Sequence, residues 1–183
     1  RWRWGIVFQT GDNKISGGTT MSYFRHSLVC EGPGLIITGF HPFQGQTGGV
    51  PEMTSHTAVI KLTHGRCGAQ ISGLYLGKGF MEISNEDNPT QEDIGEVVIT
   101  AMRAYMDNAV SGEAHIHVRD YSGLAAGSCR VSDISIVNSY FLNGGSIVTL
   151  PTKLFNPAQF NRQDFHGVYM KENTFDTQAS EDS

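Results

Sequence analysis

Val131-Ser-Asp-Ile-Ser-Ile-Val-Asn-Ser-Tyr-Phe-Leu-Asn-Gly-Gly-Ser-Ile-Val-Thr-Leu150 holds two short apolar runs separated by Asn, Ser and a Gly-Gly turn. In the first run Ile134 and Ile136 alternate with serine, the period of a strand that buries one face. Both runs are too short for helices, and their turn residues recur at close intervals. The stretch therefore reads as one piece of a repeating strand coil.

Two other phrases share its shape. Leu74-x-Leu76 with Phe80, Ile134-x-Ile136 with Phe141 and Val168-x-Met170 with Phe175 each follow alternating aliphatics with an aromatic. Their irregular spacing fits coils of similar cross-section that carry loops of different length. Asn138 and Asn173 fall at comparable bends, where Asn tolerates left-handed geometry and can bond the turn backbone.

On Val131 to Phe141, with weaker echoes at Ile71 to Phe80 and Gly167 to Phe175, the chain resembles the right-handed parallel β-helix proteins of the pectin-lyase-like group. More loosely it resembles the bacteriophage tailspikes within that group. The expected fold class is all-β, a right-handed parallel β-helix (solenoid) fragment over residues 1–178, with a flexible acidic tail over 179–183. The resemblance implies a homotrimer on a virion tail or in the extracellular space that binds or cleaves an extracellular polysaccharide. No pectate-lyase calcium-and-arginine signature can be matched, so no catalytic residue is carried over. The same coil hosts lyases, hydrolases, esterases and inert stalks, so fold alone does not choose among them.

Composition narrows the field. The chain has 183 residues with 13 Lys+Arg against 18 Asp+Glu, a formal charge of -5. No global positive field draws it to nucleic acid or an anionic membrane. Only 17% of residues are charged while glycine numbers 22, which favours tight turns and uncharged strand surfaces over long solvated helices. No apolar run reaches the roughly 18 to 20 residues that cross a bilayer, so no membrane insertion is expected. Arg1 in place of Met leads us to expect a fragment or a processed product. Cys30, Cys67 and Cys129 lack CxxC spacing and are expected to be mostly buried free thiols.

Other segments carry strand signals. Arg1-Trp-Arg-Trp-Gly-Ile-Val-Phe8 would put Trp2 and Trp4 on one face, and Ser22 to Cys30 and Leu35 to Phe40 are further strand-like runs. His41 to Ser55, with Gly45, Gly48 and Gly49 beside Pro42 and Pro51, reads as an excursion. Thr57 to Leu62 is the next strand. Met81 and Ile83 are expected inward with Glu82 outward, and Asn85 to Asp93 as a polar loop. Val97 to Met106 fits either a strand or a short helix, with strand favoured at Val97 to Thr100. Ala114-His-Ile-His-Val-Arg-Asp120 alternates, with Ala114, Ile116 and Val118 buried and His115, His117 and Arg119 on an exposed row.

A glycosidase needs two carboxyl groups about 5 to 5.5 Å apart for retention, or 6.5 to 9.5 Å for inversion. Stacked coils lie roughly 4.8 Å apart, so carboxylates distant in sequence can meet that spacing. Glu82 and Asp120 are the leading catalytic candidates, followed by Asp133 and Asp164. His115, His117, Arg119 and Tyr121 form a polar wall suited to an anionic or hydroxyl-rich glycan, and Trp2 and Trp4 can stack on sugar rings. His115 and His117, about 7 Å apart on one strand face, could ligate one metal as in cupins. The downstream Glu of that pattern is missing, so no metal is assigned. No nucleophile elbow, phosphate loop or dinucleotide fingerprint occurs, and no cofactor is expected.

Three functions follow as expectations: a tailspike-like domain that binds a bacterial surface polysaccharide, with hydrolysis by Asp/Glu as its possible chemistry; a trimer-forming stalk without catalysis; or a metal-dependent cupin-like protein.

Overall fold

The computed structural model describes residues 4–22, 26–44, 58–64, 68–77, 79–88, 93–106, 114–125, 130–143, 145–151 and 167–176. The first three strands are β1 (Trp4–Phe8), β2 (Lys14–Ser16) and β3 (Thr19–Ser22), followed by β4 (His26–Cys30), β5 (Ile36–Thr38) and β6 (His41–Gln44). Next come β7 (Ala58–Leu62), β8 (Gln70–Ser72), β9 (Tyr75–Gly77), β10 (Phe80–Ser84), β11 (Asp93–Thr100) and β12 (Arg103–Tyr105). The last are β13 (Ala114–Arg119), β14 (Arg130–Val137), β15 (Tyr140–Leu142), β16 (Ser146–Thr149), β17 (Val168–Lys171) and β18 (Thr174–Asp176).

These strands make three six-stranded sheets: A, in the order β1-β4-β7-β10-β13-β16; B, from β2 through β5, β8, β11 and β14 to β17; and C, from β3 through β6, β9, β12 and β15 to β18. Each strand pairs in parallel with the strand three places on, so the chain visits A, B and C in turn on six successive circuits. The fold is all-β, and residues from all three sheets share one apolar core.

Register makes that core a set of columns. In sheet B, Ile15, Ile37, Ile71, Ile99 and Ile136 stack in line and end at Met170. In sheet C, Leu76, Ala104, Phe141 and Phe175 stack, and in sheet A the column is Ile6, Leu28, Ile60, Met81, Ile116 and Val148. A fully buried aliphatic side chain contributes about 1.5–3 kcal/mol. Like residues fill like space on each circuit, so the columns carry much of the stability.

The corner from B to C is two residues long in every circuit. Its first residue is left-handed each time: Gly17, Gly39, Gly73, Ala101, Asn138 and Glu172 have φ of 66, 65, 64, 52, 50 and 55°. In the first five circuits its N–H donates to the carbonyl that ends the sheet B strand of the next circuit, from Gly17 to Thr38 at 2.6 Å through Asn138 to Lys171 at 3.1 Å. A second left-handed column, Asp12, Gly34, Gly68, Glu96, Asp133 and Gly167, has φ from 45 to 78°. It lies two residues before the paired positions Lys14, Ile36, Gln70, Val98, Ser135 and Tyr169.

Several expectations change in register. Val131 to Leu150 holds β15 as well as β14 and β16, so it crosses all three sheets. The second and third phrases align residue for residue, Ile134 on Val168, Ile136 on Met170 and Phe141 on Phe175. The first does not: Ile71, rather than Leu74 or Leu76, continues the Ile136 column, and Leu76 shares a column with Phe141. Asn138 corresponds to Glu172, while Asn173 stacks over Ser139, whose N–H donates to its Oδ1 at 3.0 Å. His41 to Gln44 is strand β6 and Asp93 opens β11, where loops were expected.

Two glycines separate steric demand from conformational demand. A Cβ on Gly95 would sit 1.6 Å from the Ser132 carbonyl oxygen, whereas one on Gly73 would meet nothing nearer than 3.5 Å but would occupy φ +64°. Gly95→Ala is expected to cost about 3 kcal/mol through overpacking, and Gly73→Ala about 1 kcal/mol through left-handed strain. Urea unfolding midpoints of the two variants check the order.

Candidate functional site

Sheet A differs from the other two in that its outer side is buried along the middle strands, although Val7 at the first rung and Arg119 are exposed. Outward residues of B and C such as Ile36, Val98 and Tyr75 are exposed, but outward Val29, Glu82 and Ser84 on sheet A are buried. All five residues of β10 are buried, and burial on both faces produces the near-continuous apolar runs seen in β4, β7 and β10. The longest connections, from Gln44 to Ala58 and from Thr149 to Val168, enter or leave this sheet.

Glu82 is the centre of the covered face. It points away from the core as expected, yet it is only 3% exposed, which corrects the picture of a solvated carboxylate. Register stacks it between Lys61 of β7 and His117 of β13. Lys61 Nζ lies 3.4 Å from its Oε1 and Arg119 Nη1 3.3 Å from its Oε2. The Tyr121 hydroxyl donates to Oε1 at 3.4 Å. Lys61 also pairs with Glu86 at 2.5 Å. Burial alone would lower the Lys61 pKa, but the Glu86 hydrogen bond and the Glu82 charge outweigh it, and the ammonium titrates above its ordinary value.

The expected row of side chains divides. His117 stays on the outer face, its Nδ1 3.0 Å from Thr149 Oγ1 and its ring 4.3 Å from that of Phe80. Arg119 lies over the same Phe80 ring at 5.5 Å. His115, expected to be exposed, is instead 0% exposed. Its ring packs 5.2 Å from Phe141 and 6.2 Å from Phe175, and its Nε2 lies 2.6 Å from the Asn143 carbonyl. His115 is the second residue of β13, and its ring lies among aromatics rather than in water.

Asp120 does not join Glu82. It falls opposite Asn85, three positions along from the Glu82–His117 pair, where Asn85 Nδ2 donates to its Oδ1 at 2.9 Å and the Ser122 N–H does so at 2.8 Å. At ~3.3 Å per residue and one ~4.8 Å rung, the two Cα atoms are about 11 Å apart. The structure therefore gathers Glu82, His117, Arg119 and Tyr121 and leaves Asp120 as the cap of the next turn. Asp133 is exposed in the left-handed column. Trp2, Asp164 and the Trp4 side chain lie outside the described residues, as do Cys67 and Cys129. Cys30 is a buried free thiol, its pKa raised by burial.

Among the described residues no group of three or more His, Cys, Asp or Glu side chains is arranged to hold a metal. Cupins are built from antiparallel strands, whereas every pair here is parallel. His115 and His117 have separate surroundings, the first between Phe141 and Phe175 and the second beside Phe80 and Thr149.

Sheet C carries a surface that sequence reasoning passed over. Its outer column runs His41, Tyr75, Arg103, Tyr140 and Thr174. The His41 and Tyr75 rings meet edge to face at 4.4 Å, and Arg103 lies over the Tyr140 ring at 5.9 Å. The signal was present in the sequence: each of these residues follows directly on the two-residue B-to-C corner. Recognising it required the register.

No protein-family profile, no curated protein and no solved structure matches the chain.

The buried imidazole sets a pH dependence. Desolvation lowers the His115 pKa below 6.5, only partly offset by its bond to the Asn143 carbonyl. A depressed folded-state pKa means that stability is fully present above 6.5 and is lost as pH falls through the window below it. The urea midpoint is expected to drop between pH 7.5 and 5.5, and to drop less in His115→Gln.

Proposed function

We propose that the chain is a right-handed parallel β-helix domain of the tailspike type that binds a bacterial surface polysaccharide beside the covered face of sheet A. The carrying observation is the Glu82 node, a carboxylate almost wholly buried on an outward position between two cations and a phenol. Taking such charges out of water is costly, and a neutral pair of similar volume would hold the sheet as well. A charge cluster that the fold does not need is a functional candidate.

Arg119 and Tyr121 stand exposed at the mouth of this node. The guanidinium and phenol offer donors to glycan hydroxyl or carboxylate oxygens, and the Tyr121 ring offers an apolar face to a pyranose. Three circuits meet in the node, those of Lys61, Glu82 and His117, and the groups open to a glycan, Arg119 and Tyr121, follow His117 on the last of them. Hydrolysis, with Glu82 and Asp120 as the carboxyl groups, is the extension of this reading. The structure gives Asp120 a turn-capping role, with Asn85 Nδ2 and the Ser122 N–H donating to its Oδ1.

A second reading, a trimeric stalk, draws on sheet B. Its outer side has a shallow groove lined by Ile36, Thr38, Gln70, Ser72, Val98 and Thr100, with Ile36 40% and Val98 43% exposed. Apolar side chains at that exposure suit a subunit contact.

The test is retention on a panel of immobilised capsular and O-antigen polysaccharides, with release of reducing ends as a second readout. Binding by the unaltered chain, reduced about tenfold in Tyr121→Ala and Arg119→Ala, supports the reading. Loss of sugar release in Glu82→Gln and Asp120→Asn with binding retained adds hydrolysis. A chain that binds no polysaccharide and sediments as a trimer establishes the stalk instead.

A further inference from the structure

We infer that the outer face of sheet C is a separate binding surface for an acidic, carboxylate-bearing glycan, centred on Arg103 with Tyr75 and Tyr140 as its flanking platforms. It shares no residue with the Glu82 node.

Tyr75, Arg103 and Tyr140 occupy equivalent positions on β9, β12 and β15, one rung after another. Rungs lie ~4.8 Å apart, so the Cα atoms of the two tyrosines are about 10 Å apart, with Arg103 on the rung between them and its guanidinium 5.9 Å from the Tyr140 ring centroid. Tyr75 is 41% exposed and Arg103 is exposed. The column runs across the strands, so an extended polymer would lie along the direction in which the circuits stack. A sugar ring could then stack on the exposed Tyr75 phenol, while Tyr140 backs the guanidinium that meets a neighbouring carboxylate.

The charge at this site is open. Among the described residues Arg103 forms no ion pair with a carboxylate, and its recorded contact is with the Tyr140 ring. By contrast, Arg119 is tied to Glu82 and Lys61 to Glu82 and Glu86. A planar guanidinium held near an aromatic face matches a carboxylate bidentately. Among the described residues the acidic group facing the column is Asp176, whose carboxylate accepts a bond from the Tyr140 hydroxyl at 3.3 Å at the far end from Tyr75. It fixes the Tyr140 ring without neutralising Arg103. The two-residue corner before each of these residues holds the column in line, since its left-handed N–H is bonded to the neighbouring circuit at Gly73 and at Ala101.

The experiment measures binding of the whole chain to hyaluronan, polygalacturonate and polysialic acid oligosaccharides, each beside its carboxyl-reduced form, at low and high salt. At least one acidic oligosaccharide should bind, its reduced form should bind at least about tenfold more weakly, and affinity should fall as salt rises. Arg103→Ala and Tyr75→Ala should each weaken binding about tenfold, Arg103→Lys should keep part of it, and Lys14→Ala on sheet B should leave it intact. Unchanged melting temperatures would show that these surface variants fold. The proposal is overturned if no acidic oligosaccharide binds, if the reduced forms bind equally well, or if Arg103→Ala has no effect. Sensitivity to Tyr121→Ala alone would locate the glycan at the Glu82 node and remove this surface while sparing the earlier reading.

Discussion

One N–H group per circuit governs the molecule: the left-handed residue at the B-to-C corner, which donates to the circuit stacked on it. That bond fixes where each sheet B strand ends and where the sheet C strand begins, so all six circuits keep a common phase there. Connections elsewhere vary freely because phase is reset once per turn. The isoleucine column of sheet B, the Leu76 to Phe175 column of sheet C and the outward Tyr75–Arg103–Tyr140 row all depend on that shared phase.

Glycine fills the corner in the first three circuits, and Ala101, Asn138 and Glu172 fill it in the last three. L-residues are strained by roughly 1–2 kcal/mol in this conformation. The sequence therefore tolerates a modest local penalty at three corners, offset by the columns on either side. Asn138 is the only one of those three whose side chain favours the left-handed region. That is why the corner stands out clearly in the Val131 to Leu150 stretch and is hard to see at Ala101.

The parallel strands were legible wherever alternation was clean. Ile134, Ile136 and Phe141 matched Val168, Met170 and Phe175 by pattern alone, and the register agrees. Leu74 and Leu76 misled because Leu74 is the second residue of a corner, buried like a strand residue but belonging to no strand. Alternation also assigned Glu82 and His115 to an outer face. It carries no information on what packs against that face, so the burial of Glu82 and the aromatic surroundings of His115 could not be read from spacing. The sheet C column was invisible for a different reason: its members are far apart in sequence and become neighbours only through stacking.

The pairing of β11 with β14 spans seven register positions, more than any other pair in the molecule as described. Among the described residues each strand pairs only with those of the adjoining circuits, so stability in such an array is transmitted link by link rather than shared by all residues at once. The strongest link lies between the fourth and fifth circuits. Under a pulling force or during amide exchange, the circuits from β1 onward should loosen ahead of this clasp, and Gly95 and Ser132, packed against each other within it, should be among the last backbone to open.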